Sequence, residues 1–223
     1  LGQAMGATLR QPVQVDNTAG AGGTIGINKV AKAKPDGHTL LLMHIGMSTA
    51  PALYRKLPYD TLNDFEPIGQ VADVPMTLVG RKTLPPGSLR DLLPWLKANA
   101  AKATLANAGL GAASHLCGLL FLSAVETDVQ TVPYKGTAPA MTDVLAGQVD
   151  LLCDQTTNTT QHIRAGAVRT YGVTTRSRLG TLPGVPTLDE QGIKGFDVAV
   201  WHGLYAPRGT PRPVLEQIGR AHV

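Results

Sequence analysis

The residues with the clearest chemical potential lie in one stretch, Thr104 to Phe121, and what they suit is anion binding rather than bond making. The stretch reads as a short strand, a glycine loop and a helix. Asn107 ends the strand, and Gly109, Gly111, Ala112 and Ala113 let the backbone come close to whatever lies beyond. Ser114 reads as the N-cap, and Leu116, Leu119 and Leu120 as the apolar stripe of the helix. A helix that starts after a small-residue loop offers unsatisfied N–H groups and the positive end of the peptide dipole, which together attract a carboxylate or phosphate. A plain strand-to-helix turn has the same composition, so the local pattern leaves both readings open. The dinucleotide fingerprint is a near miss. Ser114 stands where the third glycine belongs, and no acidic residue closes a strand about twenty residues on. A Walker-type phosphate loop is absent from the sequence.

Three further strand ends could line the same ligand: His44 to Ser48, Tyr134 to Thr137, and Asp154 to Thr157. In open α/β sheets ligands bind outside the carboxyl ends of strands. His44 with Ile45, Gly46 and Met47, then Thr137, and then Asp154, Gln155 and Thr156 are the candidates to read the far end of a ligand. Asp154 serves equally as a helix N-cap or as an acceptor for a ligand hydroxyl, amine or ring N–H. Lys135 adds positive charge or is simply solvated, and Trp201 packs the hinge or stacks on a ligand, packing being the favoured reading. Catalytic machinery is thin. There is no Gly-x-Ser-x-Gly elbow, and Ser114 and His115, adjacent at a helix start, point apart and make a poor serine–histidine pair. His115 therefore reads as packed or bonded to backbone. No His, Asp, Glu or Cys cluster has metal-ligand spacing, so neither a metal nor another cofactor is expected. Fixed donors with little reactive machinery describe a binding protein, not an enzyme.

The elements that must position these residues follow βαβ grammar. Pro12–Asp16 reads as a strand, Asn17–Gly23 as a glycine turn, and Ile25–Ala33 as a helix with Ile25, Val30 and Ala33 inward. His38–Met43 is a strand and Pro51–Tyr54 a helical turn. Ile68–Val74 and Met76–Arg81 read as two strands. Ser88 caps a helix to Asn99 that Pro94 kinks or delays. Then come strand Asp128–Pro133, helix Ala138–Ala146 stopped by Gly147, strand Val149–Cys153, helix Asn158–Ala165 stopped by Gly166, and strand Val168–Thr174. Thr187 opens a short helix to Gln191, and Phe196–Tyr205 crosses back as an extended segment. The expected organisation is a first domain over 1–81, a second over 82–197 and a return crossing over 198–217. Residues 218–223 do not continue the last helix well and read as a non-native tail. Leu1, Met5 and Leu9 share a face, so the chain reads as beginning inside a helix.

Bulk properties agree with a globular α/β chain. Of 223 residues, 43% are hydrophobic and 16% charged, enough for a sizeable core, while 25 glycines and 16 prolines suit many short elements. A net charge of +4 with scattered Lys and Arg gives no nucleic-acid stripe, and no stretch has the length of a membrane span. Cys117 and Cys153 are either two buried thiols or one disulfide.

The motifs also carry a resemblance. Asn17–Gly23, Pro35-Asp36-Gly37-His38-Thr39-Leu40, Leu53-Tyr54, Leu57-Pro58-Tyr59-Asp60 and Asp64-Phe65 begin the series. Ser114-His115-Leu116, Val132-Pro133-Tyr134-Lys135-Gly136, Gly147-Gln148-Val149-Asp150, Leu182–Thr187 and Trp201–Pro207 complete it. In order and spacing the chain resembles, over Leu1 to Gln217, the substrate-binding receptors of tripartite tricarboxylate transporters, the Bug family. The resemblance implies an α/β, two-domain periplasmic binding protein of the type II fold, truncated at both ends, with the family's first strand–helix unit lying upstream of Leu1. It implies a periplasmic monomer that holds a small carboxylate (a di- or tricarboxylic, acidic amino or aromatic acid) between its domains and delivers it to membrane transporter subunits. One of the family's two carboxylate-gripping loops corresponds to Asn107–Ser114. An oxidising periplasm permits pairing of Cys117 with Cys153. A ligand-sensing module, or a hydrolase or transferase on a similar fold, are the alternatives.

Overall fold

The computed structural model describes residues 1–221. In chain order the elements are α1 (Gly2–Leu9), a 3-10 turn (Ala21–Gly23), α2 (Thr24–Ala31), β1 (Leu41–His44), α3 (Gly46–Leu53), β2 (Phe65–Arg81), α4 (Leu89–Asn99), β3 (Thr104–Asn107), α5 (Ala113–Ala124) and β4 (Gln130–Pro133). There follow α6 (Thr137–Leu145), β5 (Leu151–Gln155), α7 (Thr156–Arg164), β6 (Val168–Val173), β7 (Ala199–Pro207) and α8 (Arg212–Ala221). The chain divides into two compact units, one formed by residues 1–73 with the chain from Trp201 onward, the other by Val74–Val200. The first division falls inside β2, at 73/74, because the two strands expected there are one uninterrupted strand of 17 residues.

In the first unit β1 pairs antiparallel with β7, from Leu41 opposite Tyr205 to His44 opposite His202. Ile27 and Val30 of α2 pack with Leu41, Met43, Met47, Tyr59 and Phe65, and Trp201 lies against this cluster, as a packing residue should. Tyr59, Phe65 and Tyr205 meet edge to face at 6.2 and 6.5 Å between ring centres, a geometry that aromatic quadrupoles favour. Three expectations fail here. Pro12–Asp16 is not a strand: it alternates like one, but it pairs with no strand among the described residues, and Val15 is 70% exposed. Ile25 points outward, because the three-residue spacing of Ile27 and Val30 defines the buried face of α2. And α8 does not end at Gln217. It runs through Ala221 with Ile218 and Ala221 buried, since Val214, Ile218 and Ala221 continue one apolar face. The remainder of the expected tail, His222 and Val223, lies outside the described residues.

The second unit is a five-stranded mixed sheet in the order β4-β3-β5-β2-β6. β3 runs parallel to β4 and to β5, while β5 and β6 run antiparallel to β2. Val79, Ala106, Ala140, Met141, Val144 and Leu152 form its core with the inner face of α6. Local chemistry fixes the helix ends. Ser88 Oγ accepts from the Asp91 N–H at 3.2 Å and donates to the Asp91 carboxylate at 2.7 Å, a reciprocal cap for α4. Gly147 (φ 78°) closes α6, with its N–H on Val144 O and that of Gln148 on Asp143 O, the Schellman pattern. Gly166 closes α7 in the same way. Asp150 knots three strands together: it accepts from Arg81 Nε at 2.8 Å and from the Thr104 N–H at 3.0 Å. Thr187 and Glu190 do form a reciprocal cap, N–H to side chain both ways at 2.9 Å. No helix follows it, because Gly192 (φ 110°) turns the chain away. Among the described residues no helix is long and apolar enough to cross a membrane.

Candidate functional site

Because β3, β4 and β5 are parallel, their carboxyl ends meet at one edge of the second unit's sheet. Asn107 and the glycine corner, Thr137 at the start of α6, and Asp154, Gln155 and Thr156 at the start of α7 are therefore brought to a common edge. The longest of these corners joins β3 to α5. Gly109 (φ 108°) and Gly111 (φ 78°) both turn through the left-handed region, which strains any residue bearing a Cβ. Side chains then staple the loop. The N–H of Ala108 donates to Ser114 Oγ at 2.9 Å, that of Gly109 to Asn107 Oδ1 at 2.9 Å, and that of Gly111 to His115 Nδ1 at 3.3 Å. The Ala112 N–H donates to Gly109 O at 3.0 Å.

This changes the expected donor set. The amides of Gly109 and Gly111 are consumed within the loop. Ser114 is not the N-cap: Ala112 holds that position in an extended conformation (φ −63°, ψ 156°), and Ser114 is the second helical residue, buried, its hydroxyl reaching back to Ala108. Helix geometry leaves the N–H groups of Ala113, Ser114 and His115 without an intrahelical acceptor, and none of the three has another acceptor among the described residues. These three amides, at the positive end of a 12-residue helix, are the candidate anion-binding donors. The apolar stripe is corrected too. Leu119 and Leu120 are exposed, and α5 buries Ala113, Cys117, Gly118, Phe121 and Leu122 instead. Gly118 is what allows this, since a Cβ there would lie 2.8 Å from Leu105 Cδ2.

His115 accepts at Nδ1, so its ring is neutral with the proton on Nε2, and burial lowers its pKa. Sequence reasoning assigned it to packing or a backbone bond, and it makes that bond to Gly111. Asp154 does not cap α7, whose N-cap is Gln155. It is the fourth residue of β5, 2% exposed, with Oδ2 accepting from Asn158 Nδ2 at 2.7 Å. Burial pushes its pKa up to about 6, against the lowering effect of the Gln155 N–H and Asn158. Asn158 was missed; its signal was the i,i+4 spacing from Asp154 across a helix start. Lys135 is exposed, and Tyr134 donates to Asp143 at 2.6 Å.

His44, Ile45, Gly46 and Met47 belong to the first unit. His44 Nδ1 accepts the Gly46 N–H at 2.9 Å, and its ring lies 6.1 Å from that of His202. Burial and then the charge of His202 push its pKa down to about 4. Ile45 is the N-cap of α3 and its carbonyl takes the Ser48 and Thr49 N–H groups, whereas the Met47 side chain is part of the first unit's core. Cys117 and Cys153 are joined as a disulfide with Cα atoms 5.9 Å apart.

Parallel strands leading into helices at one edge of the second α/β unit, together with a first α/β unit, suit a periplasmic binding protein, and solved structures place the chain in that class. The chain superposes on the periplasmic binding protein BugD with a TM-score of 0.95 at 53% identity, covering 99% of this chain and 74% of that one. It superposes on MatC from Rhodopseudomonas palustris, solved with bound malate, with a TM-score of 0.93 at 38% identity, covering 99% and 76%. A protein of Agrobacterium vitis encoded in the TAR-I ttuE–ttuC′ intergenic region is 51% identical over 219 residues, 98% of this chain and 63% of that protein's length. The model of the tripartite tricarboxylate transporter family receptor matches residues 1–222, and the chain belongs to that family.

Proposed function

We propose that the chain is the solute-binding part of a periplasmic receptor that captures a small carboxylate between its two domains and hands it to a tripartite tricarboxylate-type membrane transporter. The observation that carries this reading is the set of three first-turn amides of α5, left without acceptors in a corner where every neighbouring loop amide named above is stapled. A carboxylate docked there gains charge-assisted hydrogen bonds of roughly 1.5–3 kcal/mol each, and the helix dipole adds about 1 kcal/mol. No cationic side chain is needed. Thr137, Asp154, Gln155 and Thr156 read the rest of the ligand, and His44, Ile45 and Gly46 contribute from the other unit. Contacts made only when both domains engage the ligand drive closure, and the closed form is what a transporter recognises.

A receptor reading also fits the histidines. His44 and His115 both spend Nδ1 on a glycine N–H, so each is a staple of the backbone rather than a base set beside a nucleophile. Isothermal titration against malate, citrate, aspartate and benzoate tests the proposal. One-to-one binding of at least one acid is expected; no heat with any acid of this kind contradicts it.

A further inference from the structure

The Cys117–Cys153 bridge stands directly behind the candidate site. Cys117 lies four residues into α5 from Ala113, on the same buried face, and Cys153 immediately precedes Asp154 in β5. Both are fully buried, at 0% and 1% exposure. The bond therefore joins the helix that supplies the first-turn amides to the strand that supplies the buried carboxyl. Farther along, α5 packs through the buried Phe121 and Leu122, and Leu105 of β3 seats against Gly118. Its first turn, next to the site, turns only the small Ala113 and Ser114 inward, so the bridge at Cys117 is the covalent hold nearest the amides. A shift of about 1 Å there is enough to spoil hydrogen-bond geometry at a preorganised site.

We propose that the Cys117–Cys153 bridge is a positioning element of the carboxylate site. It fixes the height of α5 against β5, and so the offset between the Ala113–His115 amides and Asp154. This rests on the carboxylate reading above and adds that affinity, not only fold stability, depends on the bond. Cys117 and Cys153 touch no ligand; they act through Ala113 and Asp154.

The test compares the whole receptor chain with its C117A/C153A variant. Malate titration is done at a temperature where circular dichroism shows both fully folded, and amide hydrogen exchange is followed without ligand. The malate Kd is expected to rise about tenfold, in the range that removing an orienting partner costs elsewhere. Exchange is expected to quicken at residues 113–116 and at Asp154 while the core of α6 and β6 is unchanged. A bridge that only stabilises the fold would lower the melting temperature yet leave the Kd within twofold and exchange at the corner unchanged, and that result overturns the proposal. If wild type binds no acid, the receptor reading has failed, and the exchange comparison still decides the positioning role. If the double alanine does not fold, wild type is unfolded and refolded in excess dithiothreitol. The disulfide then takes two electrons and two protons from the dithiol, which closes to its cyclic disulfide, leaving two thiols countable in denaturant. The same Kd rise, reversed on reoxidation, supports the proposal, and an unchanged Kd refutes it.

Discussion

Two of the helix starts that follow strand ends, those of α3 and α5, leave different numbers of donors. At α3 the turn from β1 is a single residue, Ile45. Of the first three amides, that of Gly46 goes to His44 Nδ1 and that of Ser48 to Ile45 O, which leaves only Met47, whose side chain is locked in the core. At α5 the turn from β3 takes five residues and two left-handed glycines. Asn107, Ser114 and His115 staple the loop amides upstream of the helix, and the first three helical amides remain. A short corner satisfies itself at the helix; a long one satisfies itself in the loop and leaves the helix start to a ligand. The proposed anion site is placed at α5 for that reason.

The comparison can be broken in several ways. The largest effect expected is on stability, from the bond that α5 has and α3 lacks. Removing the bridge, which closes a sequence separation of 36 residues, lowers stability by about 4 kcal/mol by chain entropy, measured as a denaturant midpoint shift.

Next come two titrating groups, His44 at the end of β1 before α3 and Asp154 near the end of β5, the strand bridged to α5. His44 has its pKa held down at about 4, so the unfolded chain binds the extra proton between there and 6.5. Its contribution is complete above 6.5 and is lost as pH falls toward 4, about 3 kcal/mol in all. Asp154 has its pKa held up at about 6 against 3.8, so here the folded chain holds the extra proton, and stability falls as pH rises from 4 to 6. The two slopes oppose each other in wild type. His44→Asn keeps an acceptor for Gly46 but does not titrate, so its stability should fall with rising pH across 4–6; Asp154→Asn should rise. Denaturant melts at half-unit pH steps read both, and two variants with the same slope would break the account. Smaller still is Gly111→Ala, which places a Cβ at φ 78° and should cost about 1–2 kcal/mol while loosening the His115 staple. Melts of that variant check it.

The alternation of strands and helices and the stops at Gly147 and Gly166 were legible, because each rests on a local rule. The Ser88 cap was legible for the same reason. What was not legible depended on partners distant in sequence. Val13 and Val15 alternate like a strand, but they pair with no strand among the described residues. Leu119 and Leu120 look like a core stripe until Gly118 is seen to set the helix against Leu105. At the site, the small-residue helix start was readable and the identity of its open amides was not. Ser114 has the composition of an N-cap, and only the path of the loop through Gly109 and Gly111 carries its hydroxyl back to Ala108 instead.

The most direct test removes one of the three amides. Ala113 is the first helical residue, where proline is tolerated, and Ala112 already has the extended conformation that a following proline demands. Malate titration of Ala113→Pro against wild type, with helix content and melting checked in both, should show binding weakened by about tenfold or more with the fold intact. Equal affinity in the two proteins would mean that the α5 amides do not hold the carboxylate.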